Sequence, residues 1–287
     1  MAEIWLDGRF VAAENAIAAD DRGLLLADGV FDTALVLGGK VFRSDEHLDR
    51  LIEAATTLEI PASRAAVAAA MAALASRQEN GSIRLTLTRG PGPRGLGFPP
   101  HPRPTLLGTS APLAPGTMFA PLRLALSPIR RNETSPVSRL KTLAYIDAVV
   151  AQRAARREGA DEALFVNGPG RVACTALANL FLLNGNELAT PPLADGALDG
   201  ITRRWMLENA ASVGLEARER PLALDDLSQG PLLLTNSLRL ITPATLTGER
   251  ATPRDPRIRA LMESLCAAIA GECGVDPRRI GATIDPA

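Results

Sequence analysis

Four glycine-centred turns, each bracketed by short apolar runs, constrain the fold of this chain more than any other feature. Asp7-Gly8 stands between Ile4-Trp5-Leu6 and Phe10-Val11, and Gly38-Gly39 between Ala34-Leu35-Val36-Leu37 and Lys40-Val41-Phe42. Asn167-Gly168 and Asn184-Gly185 repeat the arrangement in the second half. Gly and Asn tolerate the positive φ of the tight turns whose twist suits adjacent antiparallel strands, so these sites predict hairpins. The second half is thus expected to be mixed rather than parallel.

Helical spacing separates the hairpins. From Ser44, expected as N-cap, Leu48, Leu51, Ile52, Ala55 and Leu58 share one helical face, and a second helix runs from Ser63 through an alanine-rich stretch towards Gly81. Ser82-Ile83-Arg84-Leu85-Thr86-Leu87-Thr88 then alternates with period two, as a half-buried strand does. Residues 90–104 are dense in Gly and Pro and predict an irregular loop, after which Thr105-Leu106-Leu107-Gly108 resumes strand. A Pro-rich stretch marks a connection, so the expected division is residues 1–112 as an α/β domain, 113–121 as linker and 122–287 as a second domain. That second domain should hold a strand at 122–126, a helix ending at Gly159, a helix opening at Gly200-Ile201-Thr202-Arg203 and a strand at 232–235. A last helix carries Ile258, Leu261, Met262, Leu265, Cys266 and Ile269 on one face.

Composition removes several function classes. With 31 basic against 32 acidic residues there is no net field for nucleic acid or an anionic membrane. Three cysteines and two histidines are too few and too scattered for a metal site, and the cysteine use fits a reducing cytoplasm. Acidic residues near the start and the lack of a run of about 20 apolar residues predict a soluble, untargeted protein.

Lysine is nearly absent: Lys40 and Lys141 are the only two among the 31 basic residues. Arginine supplies charge but never a neutral amine, so Lys141, in Ser138-Arg139-Leu140-Lys141-Thr142-Leu143-Ala144-Tyr145, invites a nucleophilic reading. A desolvated lysine can form a Schiff base with a carbonyl compound or with pyridoxal phosphate (PLP); the alternative is a lysine snorkelling from a helix start. PLP would need a phosphate cradle. Gly200-Ile201-Thr202-Arg203 at a helix opening and Thr235-Asn236-Ser237 at a strand end suit one, against helix cap and polar turn as the plainer readings. Arg50 points away from its helix's apolar stripe and reads as a solvated arginine or as the partner of a dianion.

The order Asp21-Arg22-Gly23, Asp28-Gly29-Val30-Phe31, Glu46-His47-Leu48-Asp49-Arg50-Leu51, Thr88-Arg89-Gly90, Pro93-Arg94-Gly95, Lys141, Asp161-Glu162-Ala163-Leu164, Ala178-Asn179-Leu180-Phe181, Gly200-Ile201-Thr202-Arg203 and Ile241-Thr242-Pro243 resembles the class IV aminotransferase family. That family includes branched-chain and D-amino-acid aminotransferases and aminodeoxychorismate lyase. The resemblance spans nearly the whole chain. It implies a two-domain fold-type IV α/β (α+β) fold with mixed sheets and PLP at the domain interface, a homodimer, and a Schiff base at Lys141, which then serves as acid and base. It further implies phosphate contacts from Arg50, Ile201, Thr202 and Ser237, a cofactor contact from Asn179, and a substrate carboxylate at Arg94. Arg239, two residues past Ser237, is a further substrate-binding candidate or a solvated strand-end arginine. His47 and His101 are expected at the surface or as caps.

Three positions depart from the family pattern. Phe31 replaces a tyrosine beside the cofactor and substrate, with Asp32 following where some members carry glutamate or threonine. Cys174 stands where a glutamate would face the pyridine nitrogen, and a thiol hydrogen-bonds only weakly, which makes the ring a weaker electron sink. Ala144 stands where lyases place asparagine, with Tyr145 next to it. The loop 88–95 is similar to the Arg-Gly-x-Gly-x-Arg-Gly loop of aminodeoxychorismate lyase. Loss of the carboxylate disfavours transamination, in which the carbanion must persist until reprotonated, more than β-elimination, which discharges it into a leaving group. The expected reaction is therefore lyase-like elimination of pyruvate, with transamination between an amino acid and a 2-oxo acid, or PLP binding with impaired catalysis, as alternatives.

Overall fold

The computed structural model describes residues 3–14, 16–249 and 255–284. It divides into two compact units. Met1–Leu113, Leu140–Ala144 and Gly271–Val275 form the first, and Ala114–Arg139, Tyr145–Ala270 and Asp276–Ala287 the second. Lys141 therefore clusters with the N-terminal residues rather than with residues 122–287, where the expected division put it; packing, not chain order, groups it there.

The first unit contains β1 (Glu3–Leu6), β2 (Arg9–Ala12), α1 (Arg22–Leu26), β3 (Gly29–Leu37), β4 (Lys40–Val41), α2 (Ser44–Thr57), α3 (Arg64–Ala75), β5 (Asn80–Thr88) and β6 (Thr105–Pro112). Its six strands pair antiparallel in the order β2-β1-β6-β5-β3-β4. Gly38 and Gly39 take φ of 57° and 72°, the doubly positive geometry of the tight hairpin turn. Alternation then assigns the faces of the sheet. Ile83, Leu85 and Leu87 join Val30, Ala34 and Val36 in a core completed by Leu48, Leu51 and Ala55 of α2 and Val67, Met71 and Leu74 of α3. Each fully buried leucine here contributes about 1.5–3 kcal/mol. Helix α2 begins differently from expectation: Arg43, at φ 55°, occupies the N-cap, its side chain paired with Glu46 rather than capping the helix amides, and Ser44 lies inside the first turn.

The second unit contains β7 (Leu122–Leu126), α4 (Pro136–Arg139), α5 (Ile146–Arg157), β8 (Glu162–Val166), β9 (Val172–Thr175), β10 (Asn179–Asn184), β11 (Glu187–Thr190), α6 (Ile201–Asn209), β12 (Glu216–Glu219), β13 (Leu232–Asn236), β14 (Leu240–Leu246) and most of α7 (Pro256–Cys273). Eight strands run in the order β12-β11-β10-β13-β14-β7-β8-β9. The sheet is mixed, as the turns predicted: β8–β9, β10–β11, β10–β13 and β13–β14 are antiparallel, whereas β11–β12, β14–β7 and β7–β8 are parallel. Ala151 and Ala155 of α5 pack on Ala125, Ala163 and Phe165, and the small side chains let the helix approach the sheet closely. All six apolar residues expected on one face of α7 are buried. In the stretch read as linker, Met118 and Phe119 are buried too, and the Phe119 amide donates to the Arg239 carbonyl at 3.0 Å.

Candidate active site

Lys141 owes its place to the main chain. Its carbonyl accepts from the Phe31 amide at 2.8 Å, the Leu143 amide donates to the Gly29 carbonyl at 3.0 Å, and Thr142 bridges Val30. A side chain at Gly29 would meet Leu143 Cδ1 at 2.8 Å, so glycine is what admits this segment against β3. The partly buried Lys141 places Nζ 4.5 Å from the centre of the Phe31 ring, and the Arg84 guanidinium lies 3.5 Å from the same centre. Register explains the grouping, because Phe31 pairs with Thr86 and Thr33 with Arg84, which sets Phe31 and Arg84 on the sheet face opposite the helices. Sequence reasoning gave Arg84 no role. Its signal was there: a charge on the polar side of the alternating strand.

Asp32, one residue on, faces α2 instead. Its carboxylate accepts from Arg50 Nε at 2.8 Å and Nη2 at 2.9 Å and lies 2.7 Å from His47 Nδ1. Asp32 is 3%, His47 1% and Arg50 8% exposed, so His47 is not the surface histidine expected, and of the two readings of Arg50 the solvated one falls away. The physical reason is the carboxylate itself: an inward acid on β3 must be paired, and α2 brings residues three apart, 47 and 50, onto it. Burial alone would raise the Asp32 carboxyl, but the Arg50 and His47 charges and hydrogen bonds overcome it and hold it well below the usual range. His101 is exposed, as expected, and so is Arg94 on its loop.

The phosphate-cradle candidates converge in the second unit. Helix α6 starts at Ile201 behind Gly200, with no side chain capping its first amides. Asn179 Nδ2 donates to the Leu198 carbonyl at 2.7 Å, and its Oδ1 lies 2.1 Å from where a Gly200 Cβ would stand, so only glycine fits there. Thr235 pairs with Asn179 across β10 and β13, and its buried Oγ1 has no hydrogen-bond partner among the described residues. Beyond it, Asn236 Oδ1 accepts from the Leu238 and Arg239 amides at 3.0 and 2.8 Å, which turns the chain at the half-buried Ser237. Thr202 is buried as well. An uncapped nine-residue helix and an orphaned hydroxyl on the strand it packs against fit an anion such as a phosphate monoester.

Cys174 is buried on β9 opposite Phe165. Burial pushes its thiol up, Arg131 pulls the other way and Glu162 adds to the rise. Glu162 lies in the Asp161-Glu162-Ala163-Leu164 motif, to which sequence reasoning assigned no role. Buried at the start of β8, it accepts from the Leu177 amide at 2.8 Å and from the Thr175 hydroxyl. Burial raises its carboxyl and prevails over those two donors and the charge of Arg239. Arg239 itself donates Nη1 to the Thr117 carbonyl at 3.4 Å. Tyr145 is the N-cap of α5. Among the described residues, no cluster of three or more His, Cys, Asp or Glu is placed to hold a metal, and no helix is long and apolar enough to cross a membrane.

A family profile described as Amino-transferase class IV matches residues 29–246. The chain belongs to the class IV aminotransferase family. As a class IV aminotransferase-family member it is 32% identical over 248 residues to a putative branched-chain-amino-acid aminotransferase of Methanocaldococcus jannaschii, covering 84% of this chain and 86% of the relative. To an aminodeoxychorismate lyase of Bacillus subtilis it is 30% identical over 250 residues, covering 84% and 85%. A hypothetical aminotransferase from Mycobacterium tuberculosis, solved in a PLP-bound form, superposes with TM-score 0.81 at 25% identity, covering 94% of this chain and 99% of that one. This class IV aminotransferase fold thus comes with relatives of both reaction types.

Proposed function

We propose that this class IV aminotransferase-family chain is a PLP-dependent enzyme that acts on an amino acid or amino-carboxylate and, first among its possible reactions, eliminates pyruvate in the manner of aminodeoxychorismate lyase. When bound, PLP withdraws electrons from the amino-bearing carbon of the substrate. The observation that carries the cofactor assignment is the unpartnered Thr235 hydroxyl on the strand against which α6, uncapped at its start, packs. Lys141 would be the covalent anchor. Arg50, the Ile201 amide, Thr202 and Ser237 would hold the phosphate, with Asn179 bracing Gly200 and Asp32 fixing the plane of the Arg50 guanidinium. Lys141 Nζ would take and return the proton at the amino-bearing carbon. Phe31 and Arg94, and Arg239 with them, would meet the substrate, with the Arg94 guanidinium donating to the substrate carboxylate.

Cys174, read as facing the ring nitrogen, bears on the choice between reactions. A buried thiol, its pKa raised, stays neutral and cannot hold a ring nitrogen protonated as a carboxylate does. This supports elimination over transamination, the second reading, and leaves PLP binding with impaired catalysis as the third. Borohydride reduction of the PLP-loaded protein followed by peptide mapping tests the anchor: a pyridoxyl group on Lys141 is expected, and its absence there refutes the assignment. Pyruvate release without conversion of the cofactor to its amine form supports elimination; the converse supports transamination.

A homodimer in the cytoplasm completes the proposal. Leu24, Leu25 and Leu26 in the first unit, and Ile146, Val149 and Val150 on one face of α5 in the second, are exposed apolar residues that suit a second copy. The three cysteines are buried and unbridged, as in a reducing compartment. Sedimentation at micromolar concentration checks the dimer.

A further inference from the structure

Two buried arginines of the first unit, Arg22 and Arg89, 3% and 2% exposed, have no part in the assignments above. Both bind one carboxylate. Arg22 Nε donates to Asp28 Oδ2 at 2.8 Å, and Arg89 donates Nε to Oδ2 at 2.8 Å and Nη2 to Oδ1 at 3.1 Å. Partial burial would raise the Asp28 carboxyl, but the two guanidinium groups hold it low, so the trio carries two cations and one anion. Main-chain carbonyls receive the excess positive charge. Arg89 reaches the Leu58 and Glu59 carbonyls at 2.7 and 2.8 Å, at the C-terminal end of α2 where carbonyls lack helical partners.

Arg22 reaches across 73 and 74 residues of sequence to the carbonyls of Gly95 at 3.0 Å and Leu96 at 3.5 Å. Its stem passes beneath Gly92, where an added Cβ would stand 2.9 Å from Arg22 Cδ. Phe98 lays its ring 3.9 Å from the Arg89 guanidinium carbon. Main-chain bonds hold the base of the same loop: the Arg22 amide donates to the Gly90 carbonyl at 3.0 Å and the Gly92 amide to the Asp20 carbonyl at 3.2 Å. The loop crest, residues 93–98, is exposed and rich in Gly, so charge-assisted bonds rather than a core determine its conformation.

We infer that Arg22, braced by Asp28 and Arg89, is a positioning residue that fixes the loop carrying Arg94 and thereby sets affinity for the substrate carboxylate. The inference rests on Arg94 as the carboxylate contact. Arg94 directly precedes Gly95, whose carbonyl Arg22 grips, so a tethered crest presents the guanidinium already oriented and spares the ordering cost at binding. Lysine at position 22 has one nitrogen and no fork, and cannot span a carboxylate and two carbonyls.

The test compares Arg22→Lys, Arg22→Met and Gly92→Ala in the full-length, PLP-loaded protein; the last displaces the Arg22 stem without removing its charge. Trypsin cleavage after Arg94, mapped by mass spectrometry, reports the tether independently of activity. All three variants should be cut there about tenfold faster, with cleavage elsewhere unchanged and the thermal midpoint within about two degrees of the parent. KM should rise about tenfold with kcat within about twofold. Unchanged cleavage after Arg94 overturns the tether, and a uniform rise in cleavage with a lowered midpoint overturns it in favour of general support. Faster cleavage with unchanged KM overturns the link to substrate. Arg94→Met then tells the two readings apart, since a KM unmoved by that change means Arg94 does not meet the carboxylate, whereas the tether is judged on proteolysis alone.

Discussion

Two regions of this molecule bury a carboxylate to the same degree and shift its pKa in opposite directions. Asp32 and Glu162 are each 3% exposed. Under α2, Asp32 meets two cationic side chains and its carboxyl is held far down; at the start of β8, Glu162 meets an amide and a hydroxyl and its carboxyl is pushed up. Depth therefore does not decide ionisation; the charge of the partners does. The Asp32 region is built to keep an arginine fixed and ionised, whereas the Glu162 region is built to tolerate a proton.

The contrast is most exposed to failure at Arg50. Arg50→Met removes the bidentate partner and leaves Asp32 buried with His47 alone, so denaturant unfolding should show a loss of about 3–5 kcal/mol. A loss below about 1 kcal/mol would mean that the pair is not insulated from solvent. Next comes acid titration. Because the folded carboxyl of Asp32 lies below its ordinary value of 3.8, its stabilisation is fully present above that pH and is lost as pH falls through and below it. Asp32→Asn should flatten that part of the stability profile.

Cys174→Glu carries the comparison into chemistry by placing a second acid near Glu162, within reach of Arg131's charge. Amino-acid-driven conversion of the cofactor to its amine form should quicken by about tenfold, or about 1.4 kcal/mol in barrier. An unchanged rate would mean that residue 174 does not face the ring nitrogen. The smallest effect belongs to Glu162→Gln. The amide keeps an acceptor for Leu177 and Thr175 but never ionises. Since the folded carboxyl is raised above its ordinary 4.5, the parent's stabilisation is complete below that pH and fades as pH rises towards the folded value. The variant should match the parent near pH 4 and exceed it by about 1 kcal/mol at pH 8 in urea titrations. A variant that is weaker at every pH would reverse the assignment of Glu162 as a strained acid.

Local chemistry was legible in the chain. Hairpins at Gly38-Gly39 and Asn184-Gly185 and the apolar face of α7 depend on neighbours within one or two turns and appear as expected, as does the alternation of β5 up to Leu85, beyond which Thr86 and Thr88 are buried as well. The glycine at the start of α6 was likewise readable. What escaped depends on residues distant in sequence. The pairing of Arg50 with Asp32 escaped because helical spacing around Leu48 and Leu51 says nothing about an acid 18 residues earlier. Arg22, Asp28 and Arg89 lie in short motifs whose mutual contact spans 61 residues. Lys141 was read as an isolated amine, yet it is the pairing of its segment with Gly29 and Phe31 that groups it with the first unit.

That pairing has a practical corollary. Since peptide groups, not the side chain, lace position 141 to β3, the backbone there is indifferent to what residue it carries. An alanine in place of the lysine should leave a correctly folded protein with a vacancy the size of propylamine, and millimolar concentrations of a small alkylamine should restore part of the proton transfer, turning a single residue into a replaceable reagent.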